Sequence, residues 1–235
     1  MPAVRLLLAA LILSATPVVA AAPWTDPRAA ALAALFPDPP KDLGDGEVAI
    51  KPWPNGPAPK LWVAAISLRG SEAGTLSVGV FRETDGTLAL LARNDDAEAE
   101  ADEPLWNAAI GLDLIPYRIS PGEVAFGVVV ANEYASTARL SGSQSLQLYR
   151  YRGKALLPIF STIVSRSNFD KVTAEECERK KKSRDCEDQS TEEHFVVSFS
   201  PHRTGGFFDL LFRPKGGGKV ARFTWTGDKY EAAGE

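Results

Sequence analysis

The stretch LSVGVFRETDGTLALL, Leu76 to Leu91, decides the fold. Leu76, Val78 and Val80 recur at every second position, which places them on one face of an extended strand. Asp85-Gly86 follows, a pair suited to the left-handed backbone of a tight hairpin turn. A second apolar run then returns the chain. This is the pattern of two antiparallel strands with one buried face.

The same reading holds further along. In HFVVSFS, Phe195, Val197 and Phe199 alternate with Val196, Ser198 and Ser200; in ARFTWT, Ala221, Phe223 and Trp225 alternate with Arg222, Thr224 and Thr226. Arg152-Gly153 and Gly216-Gly217-Gly218 sit between apolar runs, where hairpins turn. Three segments share one plan of strand, aromatic-Arg pair, glycine turn and strand: LSVGVFRETDGTLALL, LQLYRYRGKALLPIF and FDLLFRPKGGGKVARF. Their pairs are Phe81-Arg82, Tyr151-Arg152 and Phe212-Arg213. Three units are too few to close a propeller, which takes about four or more blades. The expected fold is mainly β, an antiparallel β-sandwich or small barrel of hairpins, forming a single domain over 61–235.

Upstream the pattern changes. Thr25 or Asp26 can cap a helix, Pro27 suits its first position, Ala29 to Phe36 favour it and Pro37 stops it. Between positions 37 and 59 there are seven prolines, so 23–60 reads as a short helix followed by an extended lead-in without a regular ladder. Trp53 within it is expected to pack onto the domain. At the very start, Arg5, the apolar run Leu6 to Leu13, Pro17 and the small residues Val18 to Ala22 make a secretory signal peptide, 1–22, cut after Ala20 or Ala22. That run is too short to span a bilayer, which takes roughly 20 apolar residues. Loss of Arg5 moves the formal charge from −4 to −5, a balance that disfavours nucleic-acid binding.

FTWTGDKY, together with AFGVVVANEY and LQLYRYRGKALLPIF, resembles segments of uncharacterised exported bacterial β-rich proteins. The likeness covers about Leu112 to Tyr230. It implies an exported β-domain located in the periplasm or outside the cell, and it brings no activity with it.

The only two cysteines, Cys177 and Cys186, enclose ERKKKSRD, five of whose eight residues are basic. In an oxidising compartment such a pair joins, and closing so short a loop contributes roughly 2.5–3 kcal/mol in the chain-entropy view. The flanks read as a helix: Thr173 with Glu176 forms a capping box, and Glu175–Arg179, Glu176–Lys180 and Glu178–Lys182 pair at i,i+4. An unbroken helix would hold the two Cα atoms about 13–14 Å apart, beyond the roughly 7 Å a disulfide tolerates. A short helical insertion near 173–183 followed by a reversal satisfies both, inside a cystine-containing insertion spanning 170–192.

The basic run is either the solvated end of that dipole-matched helix or a pinned cationic contact surface of Arg179, Lys180, Lys181, Lys182 and Arg184. Its partner would be an acidic protein surface or an anionic envelope component. Asp95, Asp96, Glu98, Glu100, Asp102 and Glu103 lack the central glycine of a calcium loop and read as a solvated connector. His194 and His202 lie at the two ends of one expected strand, about 26 Å apart, so they share no metal ion. Tyr149, Tyr151 and Trp225 read as core residues of one sheet face.

No metal site, cofactor or nucleophile motif emerges. The expected function is therefore a non-enzymatic binding protein of the bacterial envelope that uses the basic loop. Two alternatives stand beside it: an inhibitor inserting that loop into a cell-wall hydrolase or other enzyme, and a hydrolase whose carboxylates meet across the fold.

Overall fold

The computed structural model describes residues 26–36, 48–68, 75–98, 109–170 and 190–234. The expected signal peptide, 1–22, the expected helical insertion near 173–183 and both cysteines fall outside the described residues. The chain is mainly β, with one short helix and two antiparallel sheets of four and eight strands, arranged as a sandwich.

Helix α1 (Pro27–Leu35) starts where Asp26, of the two capping candidates, accepts a hydrogen bond from the Arg28 N–H at 2.9 Å, with Pro27 next in line. Its carbonyl end is held from outside, since Arg93 donates to the Leu35 carbonyl at 3.1 Å. A cation there suits the negative end of the helix dipole. Ala31 and Leu35 are buried against Ala64, Ile66 and Phe81 of the first sheet.

That sheet runs β1 (Val48–Pro52), β2 (Leu61–Leu68), β3 (Thr75–Thr84) and β4 (Thr87–Glu98) in chain order. The β3–β4 turn is Asp85-Gly86, both at positive φ of 49° and 73°, which the tight hairpin requires. Two sequence expectations are corrected here. The proline-rich lead-in does form a ladder: Val48 pairs with Ile66 and Pro52 with Trp62. It succeeds because β1 is an edge strand, where a proline at the strand end removes no shared hydrogen bond, and because Val48 and Ile50 pack beneath α1. The acidic stretch is likewise a strand over Arg93–Glu98 rather than a connector. Asp95 there accepts from Ser77 Oγ at 2.9 Å and pairs with Arg93 at 2.6 Å.

Trp53 packs as expected, only 2% exposed. Its indole lies edge-on to Phe126 at 4.9 Å between centroids. Gly56 leaves room for that ring, for a Cβ there would come within 3.0 Å of it.

The second sheet has eight strands in the order β12-β11-β10-β9-β8-β7-β6-β5. They are β5 (Ala109–Ser120), β6 (Glu123–Ala135), β7 (Arg139–Arg152), β8 (Ala155–Asp170), β9 (Ser190–Thr204), β10 (Phe207–Pro214), β11 (Ala221–Trp225) and β12 (Tyr230–Ala232). β8 and β9 pair only from Ser165–His194 to Phe169–Ser190. Beyond that join the sheet folds over, so that β9–β12 lie against β5–β8.

The middle of the molecule is therefore buried twice. Leu112, Phe126, Val128, Val130 and Tyr149 meet Val63, Ala65, Val78 and Val80 of the first sheet. On the opposite face, Ile119, Leu146, Leu148 and Ile159 meet Leu210, Trp225 and Tyr230. Tyr149, Tyr151 and Trp225 thus do not share a face: the two tyrosines point from β7 into the first core, whereas Trp225 lies on β11, which packs onto the other face of that layer.

Arg150 shows what the second core tolerates. It is 6% exposed, donates to both Glu123 oxygens at 2.5 and 2.7 Å, and lies 4.6 Å from the Phe207 ring centroid. Hydrogen bonding from Arg150 is the main reason the Glu123 carboxyl is held below its ordinary range. A guanidinium paired in two places and stacked on an aromatic ring satisfies the conditions for burying a charge.

Phe126, wedged between Trp53 and the stacked ring of Tyr149, is the test of this packing. Replacing Phe126 by Ala should lower unfolding free energy by about 3–5 kcal/mol in urea denaturation, and a loss under about 1 kcal/mol would contradict a shared core.

Candidate functional site

Four strands continue past the two cores as a polar extension. It comprises residues 131–135 of β6, 139–145 of β7, 165–170 of β8 and 190–194 of β9. Register fixes what each face presents. One row crosses Asn132, Ser143, Arg166 and Glu193; the next crosses Tyr134, Ser141, Asn168 and Thr191. Each row spans about 14 Å over three strand spacings, and the rows stand about 7 Å apart.

These residues line a cavity of about 490 Å³, together with Arg139 and Ser167. The volume falls within the ~300–1,000 Å³ of small-ligand sites. Hydroxyl and amide side chains supply most of the lining, with the exposed Arg139, Arg166 and Glu193 among them. Ser141, Ser143, Asn132, Tyr134 and Asn168 are half-buried. Asn168 Oδ1 is buried with no hydrogen-bond partner, a costly arrangement on a surface that contributes to neither core.

A second cavity, also about 490 Å³, shares Tyr134, Ser141, Asn168 and Thr191 with the first and adds Glu133, Leu140, Phe169 and Glu192. Glu133 and Glu192 stand in one row with β7 and β8 between them, so their backbones are about 14 Å apart. His194 Nε2 bonds Glu192 at 2.8 Å.

The residues singled out from the sequence, Arg179, Lys180, Lys181, Lys182, Arg184, Cys177 and Cys186, lie outside the described residues. The frame around them is described. Phe169 and Ser190 are register partners, so the end of β8 and the start of β9 lie side by side at the tip of the extension. Of the acidic residues, Asp95 is engaged within the first sheet, while Glu100, Asp102 and Glu103 lie outside the described residues.

One charged cluster carried no sequence signal. Asp209 is fully buried at the irregularity in the β9–β10 register. His202 Nδ1 meets Oδ2 at 2.6 Å, Thr204 Oγ1 donates to Oδ1 at 2.7 Å, and Arg222 Nε lies 3.5 Å away. Burial alone would push the carboxyl up. The bonds from Thr204 and His202, with the charges of His202 and Arg222, outweigh burial and hold it below the ordinary range. Tyr230, whose hydroxyl donates to the Phe208 carbonyl at 3.0 Å, is pushed well up, chiefly by burial. His202 and Asp209 are seven residues apart across a Gly205-Gly206 turn, and only the bulged register brings them together. β9 begins four residues before His194, which pairs with Ser165 of β8, and His202 lies near its other end; each histidine sits on its own carboxylate.

Among the described residues no group of three or more His, Cys, Asp or Glu could hold a metal ion, and no helix is long and apolar enough to cross a membrane. No protein-family model, curated protein or solved structure matches the chain.

Because the native Asp209 carboxyl binds a proton less readily than in the unfolded chain, its contribution to stability is complete above about pH 5. It is lost as pH falls from the unfolded value near 4 through the lower native value. Asp209→Asn should flatten that part of the acid slope in thermal unfolding followed from pH 7 to pH 3; an unchanged slope would show that Asp209 does not contribute.

Proposed function

We propose that the protein is an exported binding module of the cell envelope, which holds an anionic polymer through a cationic, disulfide-pinned segment mounted on the β6–β9 extension. The observation that carries this reading is the pairing of Phe169 with Ser190. It roots the segment bearing Arg179, Lys180, Lys181, Lys182 and Arg184 on two neighbouring strands at the tip of a four-stranded ladder. A contact surface on a short, closed base loses little conformational freedom on docking.

The charge distribution supports the same reading. The chain is acidic overall, at −4, while five cations fall within eight residues. The five cations of that run offer an anion a local concentration of positive charge, flanked by acidic residues on both sides. Cell-wall carboxylates are the partner chemistry that an exported protein meets at high density. Such attraction is screened by salt, since the Debye length contracts to about 3 Å at 1 M.

Co-sedimentation of the mature protein with purified cell-wall sacculi tests the proposal. Retention at low salt, release at 1 M salt, and at least a tenfold weakening in the Lys180→Glu, Lys181→Glu, Lys182→Glu variant are expected. Equal retention of the variant would overturn it.

A further inference from the structure

Charge alone does not account for the cavity lined by Asn132, Tyr134, Ser141, Ser143, Arg166 and Asn168. Its surroundings are electrically balanced: Arg139 and Arg166 stand against Glu193 in the lining and against Asp170, the register partner of Arg139. A site for a strongly anionic group would show an excess of cations. What it does show is a dense mixture of hydrogen-bond donors and acceptors in a depression, around a buried carbonyl oxygen that lacks a donor.

We propose that this cavity is a saccharide site, in which Asn168, Ser141, Ser143 and Asn132 hydrogen-bond the hydroxyl and acetamide groups of a neutral oligosaccharide. Sugar hydroxyls both donate and accept, which matches hydroxyl and amide side chains that do the same. Arg166 and Glu193, neighbours at one end of a row, provide a donor fork and an acceptor. Tyr134, the one aromatic residue of the lining, provides a ring against which the apolar face of a sugar packs.

A peptide fits less well. Peptides add to sheets by pairing with a free strand edge, and β7 and β8, in the middle of this grid, are already paired on both sides. A ligand on this face meets side chains rather than backbone. The balanced charge predicts that binding here is insensitive to salt, unlike retention through the cationic segment.

This inference deepens the proposed envelope-binding role and rests on it for the source of the ligand, but the two fail separately. The test titrates the mature full-length protein with chitotriose, cellotriose and maltotriose, at low salt and at 1 M salt, following binding by calorimetry and by amide chemical shifts. At least one sugar should bind with affinity independent of salt and should shift amides of Ser141, Ser143 and Asn168. Asn168→Ala and Ser141→Val should each weaken it at least tenfold with unchanged melting temperature. The Lys180→Glu, Lys181→Glu, Lys182→Glu variant should bind the sugar as the parent does. Absence of binding by all three sugars, binding unaltered by both cavity variants, or shifts confined to other strands would overturn the saccharide site. Loss of sacculus retention in the charge-reversed protein with sugar binding intact would leave both proposals standing on separate surfaces.

Discussion

Burial of β6 and β7 on both faces is the constraint on which the other elements depend. Phe126, Val128 and Val130 serve one core while Ala125 and Val129 serve the other. On β7, Tyr149 faces the first sheet and Leu146 and Leu148 face the folded-over strands. A one-residue slip of register would exchange the two sets at once. It would drive an aromatic stack into space shaped for leucine and leave Arg150 without Glu123. Gly127 adds to the fixity, since a Cβ there would come within 2.6 Å of Leu146 Cδ1. Two cores that share one layer cannot loosen independently.

That shared layer also explains why the polar extension can exist. Residues 131–135 and 139–145 continue strands that are clamped on both sides further down, so the ladder holds its shape without apolar cover of its own. Short polar side chains can then form a half-buried depression, which a self-supporting two-stranded hairpin would not sustain. The rigidity comes from Phe126, Tyr149 and Leu148, and the chemistry from Asn168, Ser141 and Tyr134, on the same strands a few residues apart.

Much of the fold is legible in the sequence for a definite physical reason. β3, β9 and β11 write a period of two, as in Leu76, Val78, Val80 and in Phe223, Trp225; β3 departs from the one-buried-face expectation, since Phe81 on its other face is buried under α1. The turn at Asp85-Gly86 is legible because only a few residues accept positive φ. β6 writes no such period: Ala125 to Val130 is apolar or small at every position, the mark of burial on both sides, and this hides which residue faces which core. Tyr149 and Tyr151 fall in a different core from Trp225 because β11 folds over onto the opposite face of β7, which no local pattern shows. The lead-in strand Val48–Pro52 was obscured by the prolines around it and by Pro52 at its end, whose cost vanishes at an edge. The grid around Asn168 was invisible for a different reason: its members come from four strands, and only register brings them together. The pairing of His202 with Asp209 depends in the same way on a bulge that leaves no trace in composition.

The doubly buried layer is tested most directly by native-state hydrogen exchange. The account predicts that amides of Phe126–Val130 and Leu146–Tyr149 exchange slowest, as one group and at the rate of global unfolding, with β1 and β12 exchanging well before them. Persistent protection of β1–β4 after β6 and β7 have exchanged would contradict it.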